Sequence, residues 1–256
     1  MFVMQISRMK RKEQVEIEGY GQWKSDNKSV GQPGTDVVDE MKSKGAGIIA
    51  KIPIKNTRIG TISVKPNVAY GNVSIVHSDR DNNTETVLKD NNFLSAGAGF
   101  ELSKSRSYNI EAGAAPTFSF RDGNSVSSLS GVNAHAQGSV TVYRSKIGET
   151  NVNWQLTGSV SYVSENAPLN PGSQDLGIKG TTYSAGLKIG DDEWEAYGKL
   201  AVNPISKNTG AIIGAKALLG KELPMGLDMT IQIGNPGLPL GTSTGGGSRV
   251  GIFVRF

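Results

Sequence analysis

Between residues 152 and 162 apolar and polar side chains alternate. Val152, Trp154, Leu156, Gly158, Val160 and Tyr162 fall on one face of an extended segment, and Asn153, Gln155, Thr157, Ser159 and Ser161 on the other. Successive side chains of a strand point to opposite faces, so this is a strand with two chemically distinct sides. The pattern recurs upstream. Val132, Ala134, Ala136, Gly138, Val140 and Val142 oppose Asn133, His135, Gln137, Ser139, Thr141 and Tyr143. Before them, Tyr108, Ile110, Ala112, Ala114, Pro116, Phe118 and Phe120 oppose Asn109, Glu111, Gly113, Ala115, Thr117, Ser119 and Arg121. These runs exceed the five or six residues of a typical globular strand and match the length that crosses a bilayer at a tilt.

The same rule places about twelve strands, at 13–24, 44–55, 58–76, 92–104, 106–121, 127–144, 150–163, 180–190, 192–204, 209–222, 226–234 and 248–256. Pro66 and Gly71-Asn72 mark 58–76 as the irregular one, with a bulge or extra turn expected there. Connections alternate in length. Long polar stretches fall at 25–43, 77–91, 164–179 and 235–247, with shorter members at 122–126 and 205–208. Tight turns fall near Asn56-Thr57, Ser105, Ile147-Gly148, Asp191 and Pro224-Met225. A soluble sandwich has no reason to sort its loops by end, whereas a membrane barrel does. The expected fold is therefore all-β: one antiparallel up-and-down transmembrane β-barrel over residues 13–256, with residues 1–12 as an N-terminal extension. Both termini lie on the short-turn side, and 248–256 closes against 13–24.

Composition narrows the chemistry. None of the 256 residues is cysteine and only two are histidine, His77 and His135, which excludes disulfides and thiolate metal sites; no cofactor or metal is expected. The net charge of +4 is scattered, which argues against a nucleic-acid partner. No run reaches the roughly 18 apolar residues of a spanning helix, and a negative average hydropathy is compatible with a barrel, whose lumen-facing half is polar. The start, MFVMQISRMKRKEQ, lacks the apolar core and cleavage site of a secretory signal. Aromatic residues are 7% of the chain, so an interfacial girdle is thin, with Trp23, Tyr70, Tyr108, Trp154, Tyr162 and Trp194 as its candidates.

The final strand carries a resemblance. Val250, Ile252, Val254 and the terminal Phe256 alternate apolar and end on an aromatic residue, between polar Arg249 and Gly251. This resembles the assembly signal of Gram-negative outer-membrane proteins, and it is also similar to the mitochondrial β-signal. The resemblance implies a lipid bilayer and a barrel-assembly machinery as partners, and a Gram-negative outer membrane ahead of an organelle as the compartment.

If the apolar face meets lipid, the charged and titratable members of the other face line the lumen. Parity assigns Glu16, Glu18, Lys51, Lys65, Glu101, Glu111, Arg121, His135, Lys188, Glu195, Lys199, Lys216, Asp228 and Arg255 to it. The signs nearly balance, which implies weak ionic selectivity. A hairpin at 205–208 is expected to bring Lys199 and Lys216 face to face, with Lys188 extending a basic stripe. No nucleophile–base motif accompanies His135, so no enzyme is expected. The Gly45-Ala46-Gly47, Gly97-Ala98-Gly99 and Gly245-Gly246-Gly247 stretches lack the Lys-Ser/Thr pair and helix of a phosphate cradle and read as close packing or flexible loop. The leading functional expectation is a porin-like pore for passive diffusion of ions or small hydrophilic solutes. The alternatives are a non-conducting barrel acting as adhesin, receptor or anchor through its loops, and a soluble multi-stranded β protein.

Overall fold

The computed structural model describes residues 14–29, 37–104, 107–121, 125–163, 180–191, 193–204, 208–219, 225–234 and 243–256. The expected extension at residues 1–12 lies outside them. Twelve strands run β1 Glu16–Ser29, β2 Val37–Asn56, β3 Thr61–Asp79, β4 Thr84–Lys104, β5 Tyr108–Arg121, β6 Ser125–Ile147, β7 Thr150–Val163, β8 Gly180–Gly190, β9 Trp194–Asn203, β10 Asn208–Leu218, β11 Met225–Ile233 and β12 Ser243–Arg255. Each pairs antiparallel with its neighbours in sequence, and β1 pairs with β12 to close the barrel. The closing register runs from Glu16 opposite Arg255 to Lys28 opposite Ser243, so the final strand does meet the first.

β11 shows why the sequence makes a barrel. Gly226, Asp228, Thr230 and Gln232 are buried while Met225, Leu227, Met229, Ile231 and Ile233 are exposed. A soluble protein buries the opposite set. Exposed Ile48, Val68, Phe100, Ile110, Leu156, Leu187, Leu200, Ile213 and Ile252 continue the apolar band around the outside. Lipid is the solvent that such a surface requires.

The strands on the long-loop side reach further than hydrophobic alternation indicates. β2, β3, β4 and β6 have 20, 19, 21 and 23 residues, and β8 to β11 have 9 to 11. At a rise of about 3.3 Å and a tilt of about 40°, ten residues span roughly the 25 Å apolar band, and twenty span about 50 Å. Much of the polar stretches 25–43 and 77–91 is therefore strand. β3 and β4 join through the four residues 80–83, with Asn83 at φ +52°. Ladder hydrogen bonds do not need an apolar neighbour, so they continue where lipid, and hence alternation, ends.

Irregularities also fall elsewhere than expected. β3 runs unbroken through Gly71-Asn72, and register shifts occur at Pro53/Lys55, Ile75/Val76, Thr117/Phe118/Phe120 and Thr141/Tyr143. The last has a visible effect. The strict period assigned Tyr143 to the polar face; the bulge at Val142 sets it opposite Trp154, 63% exposed on the outside. Tyr143 and Tyr183 thus join Trp23, Tyr70, Trp154 and Tyr162 as exposed aromatics.

Inside, bulky groups sit on glycines. Tyr20 is opposite Gly47, Tyr197 opposite Gly214 and Phe253 opposite Gly226, and in each couple a Cβ on the glycine would run into the ring. Each missing side chain is the seat of an aromatic one, so the inner wall packs without widening.

Candidate functional site: the charged girdle of the lumen

Alternate side chains point inward, and on the short-turn half of the barrel 13 of the 20 residues around the central cavity are charged. Glu16, Glu18, Lys51, Lys65, Glu101, Glu111, Lys188, Glu195, Lys199, Lys216, Asp228 and Arg255 all line one cavity of about 250 Å³. His135 lies beside it, against Glu111. Arg121 is registered opposite Ser125, and its side chain lies outside the described residues.

The charges are ordered into chains of opposite sign. Glu101 and Glu111 face one another across β4 and β5, an arrangement that would repel if left alone. Lys65 of β3 bridges them, 2.7 Å from Glu111 and 3.9 Å from Glu101, while Lys51 of β2 binds the other side of Glu101. Glu111 accepts further from Gln137 Nε2 at 3.0 Å, and His135 Nε2 lies 3.2 Å from its other oxygen. His135 reaches it because its directly opposed residue, Gly113, has no side chain; a Cβ there would lie 2.8 Å from the imidazole.

The second chain fastens the seam. Glu16 of β1 binds Arg255 of β12 at 2.7 Å and also Lys216 of β10. Glu18 binds Arg249 at 2.5 Å, and that guanidinium stacks 4.0 Å from the centre of the Tyr20 ring. Lys188 and Glu195 pair at 2.6 Å on β8 and β9. Asp228, opposite Lys216 in the ladder, is buried, and its Oδ1 has no hydrogen-bond partner among the described residues.

The expected facing of Lys199 and Lys216 does not occur. The β9–β10 register sets Lys199 opposite Ile212 and Lys216 opposite Glu195, so the basic stripe is broken by a carboxylate. Lys199 instead lies over the Tyr197 ring, 5.5 Å from its centre. Arg249 belongs to the girdle although it was read only as a polar position of the terminal strand. Its even separation from inward Arg255 was the available signal.

A second cavity, of about 240 Å³, lies at the short-turn mouth beside Gln14, Lys104, Ser107 and Asp191. It shares Glu16, Lys51, Asn109, Ser139, Lys188, Glu195 and Arg255 with the first, so the two form one polar space. Beyond the girdle, toward the long-loop side, inward Ser95, Thr117, Asn133, Thr182 and Thr230 are at most 1% exposed. Ser95 and Thr117 hydroxyls meet at 2.5 Å, and Asn133 donates to Thr117 at 3.2 Å.

The architecture has solved counterparts. The transport unit of the autotransporter AIDA-I from Escherichia coli superposes with a TM-score of 0.60 over 100% of this chain and 94% of that one, at 13% identity. The fold is that of Gram-negative outer-membrane β-barrels. An outer-membrane channel from Pseudomonas putida F1 gives a TM-score of 0.55 over 95% of this chain and 96% of that one, at 12% identity. No protein-family model and no curated protein matches the chain.

Proposed function

We propose that this barrel lies in a Gram-negative outer membrane and passes ions or small hydrophilic solutes through a salt-bridged constriction. The observation that carries the reading is the continuous polar space from the short-turn mouth to the girdle, walled by seven carboxylates and eight cations. Paired charges replace part of a solute's hydration, and nearly balanced signs give little preference for anions or cations. The Glu16–Lys216 pair ties strands on either side of β11 and β12, so it narrows the passage as a strut. Planar-bilayer recording of the folded protein is expected to give small, weakly selective steps that enlarge in a Lys216→Met, Glu16→Gln variant. Absence of conductance from correctly folded protein would refute the pore.

A second reading is a non-conducting barrel that works through its long-loop rim. The near-complete burial of inward Ser95, Thr117, Asn133, Thr182 and Thr230 favours it. Under this reading the girdle is structural, and the strut variant leaves the membrane tight. In either case Val250, Ile252, Val254 and Phe256 are offered to the barrel-assembly machinery, and deleting Phe256 is expected to lower the assembled fraction in cells.

A further inference from the structure

The outer wall of β4 to β7 carries a hollow that faces lipid. Gly138 of β6 is registered directly opposite Gly158 of β7, and both occupy outward positions between the Val140–Leu156 and Ala136–Val160 pairs. Other outward glycines are registered against residues with side chains: Gly19 against Ile48 and Ile252, Gly21 against Ala46 and Val250, Gly198 against Leu187 and Ile213. Among these described outward glycines, the Gly138–Gly158 couple is the one in which two adjoining strands lack a side chain at the same level. The result is a groove of about 640 Å³ between Leu102, Ile110, Val140 and Leu156, ending at Tyr108.

This groove continues toward the short-turn rim. A second hollow of about 520 Å³ shares Tyr108 and Val140 with it and ends at Tyr143 and Arg144. The β6 bulge creates it by sending Val142 and Tyr143 outward together. Arg144 lines this second hollow, and Lys104, registered opposite Tyr108, is exposed at the same rim. The apolar slot therefore opens onto two tyrosines and an excess of cations. That order matches a phospholipid from chain to headgroup.

We infer that the wall of β4 to β7 is a binding site for one anionic phospholipid of the short-turn leaflet. An acyl chain fills the slot over Gly138 and Gly158, and the phosphate sits against Lys104 and Arg144. The inference needs the barrel to lie in a bilayer but does not depend on conduction.

The test is native mass spectrometry of the barrel released from nanodiscs made with phosphatidylglycerol or phosphatidylcholine. The wild type is expected to retain one lipid, with phosphatidylglycerol favoured about fivefold for each engaged cation. Lys104→Ala, Arg144→Ala is expected to keep the lipid and lose the headgroup preference. Gly158→Val, which places side chain in the slot, is expected to lose both lipids. Leu156→Trp fills the slot from its flank without touching a glycine and reads the same if the glycine variant fails to fold. Retention undiminished in folded Leu156→Trp, or no preference for phosphatidylglycerol in the wild type, would overturn the inference.

Discussion

Glu111 holds three side-chain partners at once, and truncating it tests whether the girdle holds the wall together. It is 2% exposed and is met by Lys65 Nζ at 2.7 Å, Gln137 Nε2 at 3.0 Å and His135 Nε2 at 3.2 Å. Glu111→Ala leaves the Lys65 ammonium with Glu101 at 3.9 Å as its remaining carboxylate, and that carboxylate is already bound by Lys51. Breaking a buried pair by removing one partner costs about 3–5 kcal/mol, because the other charge stays behind. Glu111→Gln keeps the shape and two acceptor lone pairs but loses the charge, which is worth about 1–3 kcal/mol. At about 1–3 kcal/mol per molar urea, the alanine variant is expected to unfold at least about 1 M earlier, and the glutamine variant to fall between it and wild type. The assay is urea titration in lipid vesicles, followed by tryptophan fluorescence and by the gel mobility of the unheated barrel. A Glu111→Ala midpoint within about 0.2 M of wild type would refute the claim that these contacts bear load, because surface charge removals cost that little.

Three further outcomes follow from particular contacts. Gly47→Ala places a Cβ 2.5 Å from the Tyr20 hydroxyl oxygen and is expected to cost about 1–3 kcal/mol by overpacking; Gly47→Ala in a Tyr20→Leu background is expected to recover part of it, as read by the same titration. Deleting Val142 removes the bulge and leaves Tyr143 directly after inward Thr141 and still opposite Trp154, so a tryptophan placed at Tyr143 is expected to be quenched by brominated lipid in the deletion as in the parent; protection in the deletion would refute the bulge assignment. On the long-loop rim, two hydrogen bonds from Asn82, at 2.8 and 3.1 Å, hold the Asp79 carboxyl below the usual carboxylate range. A depressed folded-state pKa means order that is present above the ordinary value and lost as pH falls through the lowered one. The protection of the Asn82 amide, taken as its exchange rate relative to the intrinsic rate at the same pH, is therefore expected to fall on acidification, and to be pH-independent in Asp79→Asn.

Where lipid sets the pattern, the sequence was readable to the register. Alternation in 150–163 and 180–190 coincides with β7 and β8 residue for residue, and the closing pair followed from loop order and an even count. Parity carried the site too, because an inward Glu18 makes Glu16 inward whatever the fold does elsewhere. Legibility failed where parity is not conserved or not visible. A bulge such as that at Val142 changes face without changing composition, so Tyr143 could not be assigned from its neighbours. Strand ends in water, such as Thr84–Asn91 of β4, carry no apolar alternation to count. Pairs across a hairpin depend on the turn length to the residue, and the expected meeting of Lys199 with Lys216 missed by four positions: Lys216 lies opposite Glu195. The seats of Tyr20, Tyr197 and Phe253 on glycines needed that register as well.

The ion pairs across the seam separate how fast the barrel forms from how long it lasts. Glu16 reaches Lys216 and Arg255, 200 and 239 residues away, and Glu18 reaches Arg249, 231 residues away. Contacts of such separation form only when the last strand has met the first, after the costly loop closures are complete. They add little to the speed of assembly and must be broken early in any opening, which places their contribution on the unfolding barrier. The girdle thus sets a lifetime: a barrel closed once at the seam is held shut by charges that no partly formed sheet possesses.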